Sequence, residues 1–232
     1  MAPQPRAISL RHHRHLFLLL AVTAVVTRAA TADMEAAAPS ATETRSTASA
    51  PAASFLRACC ATTLYPALCY DSLLPYAPEF QTSHARLARV AADVTAAHLR
   101  ALSARVKDLL LHATRPDTAA GGRPSEAAAL HDCASTISSA ANLARQSSAE
   151  LTGLDAAGST TPAGTSSRQA RWQVSNAKTW LSAAMTNEGT CTDGLEEAGA
   201  AASLAGKEVT AGVASVRQYT SNSLALVNGI PL

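Results

Sequence analysis

The sequence predicts an all-α fold: an antiparallel up-down four-helix bundle with an N-terminal helical hairpin and two disulfides. Three observations lead there. Only 4% of residues are aromatic and alanine dominates the apolar fraction, a composition that suits closely packed helices better than sheets built from Val, Ile and Tyr. Four long stretches repeat apolar side chains at three- and four-residue steps. Five cysteines follow an export-type N-terminus, so bridges are expected to form and persist.

The export reading rests on Arg11 and Arg14, with histidines around them, ahead of an apolar run from Leu16 to Val26. That run holds 11 residues, inside the roughly 7 to 15 of a secretory signal and short of the roughly 20 that span a bilayer. Ala30-Thr31-Ala32 fits a small-x-small cleavage site, so residues 1–32 are expected to be removed between Ala32 and Asp33, with Arg28-Ala29-Ala30 as the alternative site. Nothing later in the sequence resembles a membrane span, so no membrane attachment is expected after cleavage. Removal takes four arginines and no acid. It leaves 15 Lys+Arg against 17 Asp+Glu, a formal net charge of −2, which argues against nucleic acid or another polyanion as partner.

Residues 33–53 carry no large apolar side chain apart from Met34. They cannot bury enough surface to offset ordering entropy and are expected to form a disordered lead. Residues 54–81, broken by Pro66, Pro75 and Pro78, suit short helical turns forming a hairpin. The bundle domain is expected over 82–230. Its first helix carries Leu87, Val90, Val94, Ala97, Ala101, Val106, Leu109 and Leu110, capped by Thr82 or Ser83 and stopped at Arg115-Pro116. After a Gly/Pro-rich loop, Ser125 is a cap for a second helix with the stripe Leu130, Cys133, Ile137, Ala140, Ala144 and Leu151, ended by Gly153. A low-complexity stretch to about Ser167 leads to a third helix with Val174, Ala177, Leu181 and Ala184, ended by Gly189. Thr192 is then the expected cap of a fourth, carrying Leu195, Val209, Val213, Val216, Leu224 and Val227, with bends at Gly206 and Gly212. Four amphipathic helices joined by loops pack most simply as an antiparallel bundle.

Among the cysteines, Cys60 and Cys69 flank a Tyr65-Pro66 turn, and a short hairpin can bring them within bridging distance. Cys133 lies on the second helix stripe and Cys191 at the third-to-fourth junction, so a bridge there would cross the bundle. Spacing alone leaves Cys59 able to compete for Cys69 or to link two chains. No CxxC pair or zinc-spaced His/Cys cluster occurs, so no metal and no cofactor are expected. No Asn-x-Ser/Thr acceptor is present either, whereas the Ser/Thr/Pro-rich lead remains open to O-glycosylation.

These residues resemble the plant invertase and pectin methylesterase inhibitors. The family opening C-x-x-T-x-Y-P-x-x-C stands here as Cys60, Thr63, Tyr65, Pro66 and Cys69. An A-L-x-D-C block stands as Ala129, Leu130, Asp132 and Cys133, and a W-L-S-A-A-L-T block stands from Trp180 to Thr186 with Met185 at its Leu, followed by Thr190-Cys191 and Asp193-Gly194. A closing S-N-S-L-A-L spans Ser221 to Leu226. The resemblance implies a four-helix bundle with a helical hairpin and pairs Cys60 with Cys69 and Cys133 with Cys191. It also implies that the chain inhibits a pectin methylesterase or an acid invertase by docking on the enzyme's active-site face. Three features depart from the family pattern: the long Gly153 to Ser167 stretch, the extra Cys59, and Asn176 to Lys178 where an acid is common.

An enzyme needs a nucleophile, a base and an orienting group, and His84, His98, His112 and His131 sit in no catalytic signature. No catalytic residue is expected. The family fold also occurs as the pro-region of plant pectin methylesterases; with Leu232 closing the sequence, a standalone inhibitor is expected. It would be secreted to the apoplast and cell wall and form a 1:1 complex, with pectin methylesterase preferred and acid invertase as the alternative. Thr190 is the expected contact residue, exposed at a turn beside a disulfide, with Asn187 and Glu188 as further candidates. Trp180 and Leu224 are read as core or half-buried packing.

Overall fold

In the computed structural model, residues 49–114, 124–157 and 163–232 are described. The expected signal segment 1–32, its cleavage at Ala32/Asp33 and most of the expected lead lie outside them, as does the Arg115-Pro116 stop. Every regular element among the described residues is helical: α1 (Ala50–Cys60), α2 (Pro66–Leu73), a 3-10 turn (Leu74–Tyr76), α3 (Ala77–Phe80), α4 (His84–Ala113), α5 (Pro124–Ala157), α6 (Ala163–Glu197) and α7 (Leu204–Asn228).

Prolines start the short elements rather than breaking them. Pro51, Pro66, Pro75 and Pro78 each occupy a first-turn position, where the missing N–H has no helical partner to lose. One consequence is that α1 begins at Ala50, four residues before the expected boundary at Ser54. Cys60 and Cys69 form a disulfide that ties α1 to α2. Arg57 stacks 4.5 Å over the Tyr70 ring and donates to its hydroxyl at 3.2 Å.

The four long helices pack in sequence, α4 on α5, α5 on α6 and α6 on α7, and α7 returns to α4. Named contacts set the registers. Ser103 of α4 donates to the Ala134 carbonyl of α5 at 3.2 Å. Cys133 bridges Cys191, and Asn176 donates to Glu150 at 3.1 Å, between α5 and α6. Thr95 pairs with Ser223 at 2.8 Å and Arg105 with Glu208, between α4 and α7. In the α5–α6 and α4–α7 sets, residue numbers rise on one helix as they fall on the other. The chain-entropy picture assigns the bridges roughly 2.5 kcal/mol for the short loop and about 4 kcal/mol for the long one.

Leu87, Leu99, Val106, Leu130, Ile137, Leu151, Leu181, Leu195, Val209 and Val227 form the core, closed at one end by Leu56 and Phe80 from the appendage. Alanines 88, 92, 96, 140, 144, 177 and 184 are fully buried between them. The expected α4 stripe shifts on inspection: Ala97 and Ala101 are exposed, while Thr95, Leu99 and Ser103 face inward. The two hydroxyls take inner positions because Ser223 and the Ala134 carbonyl satisfy them.

The largest departure is in α6, which continues through Gly189 and Gly194 to Glu197. Thr192 therefore caps nothing; its hydroxyl donates back to the Gly189 carbonyl at 2.8 Å inside the helix. The chain turns at Gly199, whose φ of +64° disfavours a side chain, and Ser203 caps α7 by accepting from the Gly206 N–H at 2.9 Å. Gly206 sits so close to the turn that an added Cβ would lie 2.0 Å from the Ala200 carbonyl oxygen. In the same way α5 runs past Gly153 to Ala157, and α4 starts on a Ser83 cap that accepts from the Arg86 N–H. No helix of the described residues is long and apolar enough to cross a membrane.

Candidate partner-binding face

The motif residues hold the fold. Asn222 is buried on α7, where its side-chain amide donates to the Tyr65 carbonyl at 3.0 Å and accepts from the Tyr65 N–H at 3.2 Å. It thereby pairs the turn before α2 to α7 as a neighbouring strand would. The Thr63 hydroxyl donates to the Cys60 carbonyl at 2.8 Å. Leu130, Cys133, Leu181, Ala184, Cys191 and Leu226 are core. Such residues are unavailable for a partner, so a contact surface uses the exposed positions between them, Ser182, Thr186 and Thr190 of the motifs included.

The expected contact residues separate once α6 is seen to be continuous. Thr190 is exposed, within the helix rather than at a turn, with its hydroxyl on the Thr186 carbonyl at 3.1 Å. Asn187 is half-buried and donates to the Ala183 carbonyl at 3.0 Å. Glu188 is fully buried and is not a surface contact. The expectation ended the helix at Gly189 and put Thr190 at a turn. In a continuous helix Glu188 instead lies one turn past Ala184 and one turn before Cys191, on the inward face.

Glu188 accepts a hydrogen bond from Thr220 on α7, and its second oxygen has no hydrogen-bond partner. Burial pushes its carboxyl up to about 7, against the smaller downward pull of the Thr220 hydroxyl and the Arg217 guanidinium. The group is therefore held neutral in acid.

The outward face of α6 reads Arg168, Trp172, Ser175, Thr179, Ser182, Thr186 and Thr190, all exposed at three- and four-residue steps. Thr179, Thr186 and Thr190 each donate to the carbonyl one turn back, at 3.0 to 3.2 Å. Neighbouring α5 presents Ser135, Ser139, Asn142 and Gln146. Between Lys178 and Asp193 no charge on α6 reaches solvent, because Glu188 is inside. Hydroxyls and amides are cheaper to desolvate than charges, so this pair of helices offers a stiff polar surface that a protein partner can cover. Trp172 was missed in the sequence; its spacing from Ser175 and Thr179 is the signal that finds it. Trp180, two turns on, is half-buried.

Elsewhere an apolar cavity of about 300 Å³ lies against the appendage, lined by Phe55, Cys59, His84, Leu87 and Leu226 among others. Cys59 is the free cysteine, and burial raises its thiol above the ordinary range, so it stays protonated. Among the described residues no group of three or more His, Cys, Asp or Glu is placed to hold a metal.

Comparison with known proteins bears on what this surface serves. Pectinesterase inhibitor 11 of Arabidopsis thaliana is 34% identical over 92% of this chain and 93% of its own length. The 21 kDa protein of Daucus carota is 32% identical over 77% of this chain and 84% of its own. In structure, the chain resembles a mutant form of a pectin methylesterase inhibitor from Arabidopsis, with a TM-score of 0.53 at 16% identity over 74% of this chain and 94% of that one; at that identity the likeness speaks for the fold alone. Residues 54–226 match the family described as plant invertase/pectin methylesterase inhibitor, and the chain belongs to that family, which is one of enzyme inhibitors and not of enzymes.

Proposed function

We propose that this chain is a secreted protein inhibitor of pectin methylesterase that covers the enzyme's active-site cleft in the plant cell wall, as a 1:1 complex. The observation that carries the reading is the family match over 54–226 together with relatives named pectinesterase inhibitors that align along most of this chain. In this reading residues 1–32 are the cleaved signal, 33–53 lead into the folded part, 54–81 form the hairpin, and 82–230 form an antiparallel up-down four-helix bundle. Opposed registers of α5 with α6 and of α4 with α7 support that arrangement.

The mechanism is occlusion. A rigid body lays its α5–α6 face, with Thr190 and Asn187 near one end, across the substrate cleft and buries an interface of roughly 1,600 Å² in total. Rigidity matters because a surface already ordered by the Cys133–Cys191 bridge loses little entropy on binding. The inhibitor supplies no chemistry; the enzyme stops because pectin cannot enter.

Titrating the purified protein against a pectin methylesterase and, separately, an acid invertase tests the reading. Stoichiometric loss of methylesterase activity with invertase unaffected is expected. Loss of invertase activity alone reassigns the target to the other enzyme in the family's description.

A further inference from the structure

We infer that Trp172, flanked by Arg168 and Arg171, is the anchor with which this inhibitor grips a carboxylate-bearing rim of its target enzyme's cleft. The inference rests on the inhibitor reading above and deepens it by naming where the binding is concentrated and what the partner presents there.

Trp172 is 58% exposed, a large apolar surface left in water beside a core built mostly of Leu, Val and Ala. It does not pack on an aromatic ring or a cation among the described residues. Arg168 lies one turn before it and Arg171 adjoins it, both exposed. Arginines elsewhere on the surface pair within the chain, Arg89 with Glu79 and Asp93, Arg105 with Glu208, and Arg145 with Asn142, and none of these adjoins an exposed tryptophan. Core packing does not account for this exposed cluster.

Its chemistry is that of a binding hot spot, where Trp and Arg are the most enriched types. Its position is continuous with the hydroxyl ridge. From Arg168 to Thr190 the stripe spans about 33 Å of helix, the scale of one side of a standard protein interface. A helix face is convex and small-ligand sites are concave, so this ridge fits into a partner's cleft rather than enclosing a ligand. Two exposed guanidiniums beside the tryptophan call for carboxylates on the partner, since Arg and carboxylate pair through two parallel hydrogen bonds.

The test uses the secreted full-length protein and a recombinant Arabidopsis thaliana pectin methylesterase. Three variants are compared with the parent: Trp172→Ala, the double reversal Arg168→Glu/Arg171→Glu, and Lys107→Glu as a control on α4. Circular dichroism and thermal midpoints verify that each remains folded, as substitutions at exposed positions should. Trp172→Ala is expected to raise the inhibition constant about 30-fold. The double reversal should weaken inhibition strongly at low salt and less at high salt, since exposed charges are screened, while Lys107→Glu behaves as the parent. A parent that inhibits while Trp172→Ala inhibits equally well overturns the anchor and leaves the inhibitor reading standing. Equal inhibition combined with loss of retention on immobilised polygalacturonate also overturns it, assigning the patch to an acidic sugar chain. A parent without effect on the methylesterase or an acid invertase overturns both readings.

Discussion

Glu188 ties folding stability to pH. Its carboxyl is held at about 7 in the folded chain against an ordinary 4.5, chiefly by burial. Between those values the native state keeps a proton that the unfolded state releases, so stability falls as pH rises through the window and the loss is complete above about 7. A shift of that size corresponds to about 3 kcal/mol. Urea unfolding at pH 5 and pH 8 checks it: the parent should be less stable at pH 8 by roughly that amount, whereas Glu188→Gln should lose most of the difference. An unchanged pH dependence in the variant would remove Glu188 as the cause. Asn222 makes a second residue-scale prediction. Replacing it with Ala strips the Tyr65 N–H and carbonyl of their partner, and about 2 kcal/mol of stability should go with it, read as a lower thermal midpoint. Both residues lie inside or beside strings recognisable in the sequence. Their burial was not legible there, because a motif shows which residue types recur and not which way each side chain points.

At the scale of the elements, the turn between α6 and α7 shows where sequence reasoning reached its edge. Gly189 and Gly194 look like helix ends, yet α6 passes through both, since a single glycine costs a helix only about 1 kcal/mol and the Cys133–Cys191 bridge and the buried Leu195 hold this segment in place. The true stop uses Gly199 in a left-handed conformation and the Ser203 cap. Ser203→Ala should therefore destabilise the protein by about 1 kcal/mol, whereas Thr192→Ala, which was expected to remove a cap, should cost measurably less in the same unfolding experiment. Equal costs would contradict the assigned boundary. The α4 stripe failed for a related reason. An alanine-rich helix has a weak period, so Ala97 and Ala101 were as plausible inward as Thr95 and Ser103. Only the partners supplied by α5 and α7 decide between them.

For the whole molecule, much of the helix inventory could be read because the positions of cysteines, prolines and large apolar residues agree with one another. Helix content and the four long elements follow from that agreement. The surface was harder. Thr190 came from its place beside a cysteine, Asn187 and Glu188 from being polar helix positions, Glu188 proved internal, and the Trp172 stripe follows from α6 being one helix. Interface residues leave little trace in a single sequence, since they satisfy a partner that the chain does not contain. The central claim, that this rigid helical body inhibits pectin methylesterase by covering it, is tested most directly by one titration. Purified protein is added in increments to a pectin methylesterase, and methanol release from pectin is followed. The account predicts a fall to near-zero rate at about one inhibitor per enzyme; full activity at micromolar excess of folded, disulfide-intact protein would contradict it.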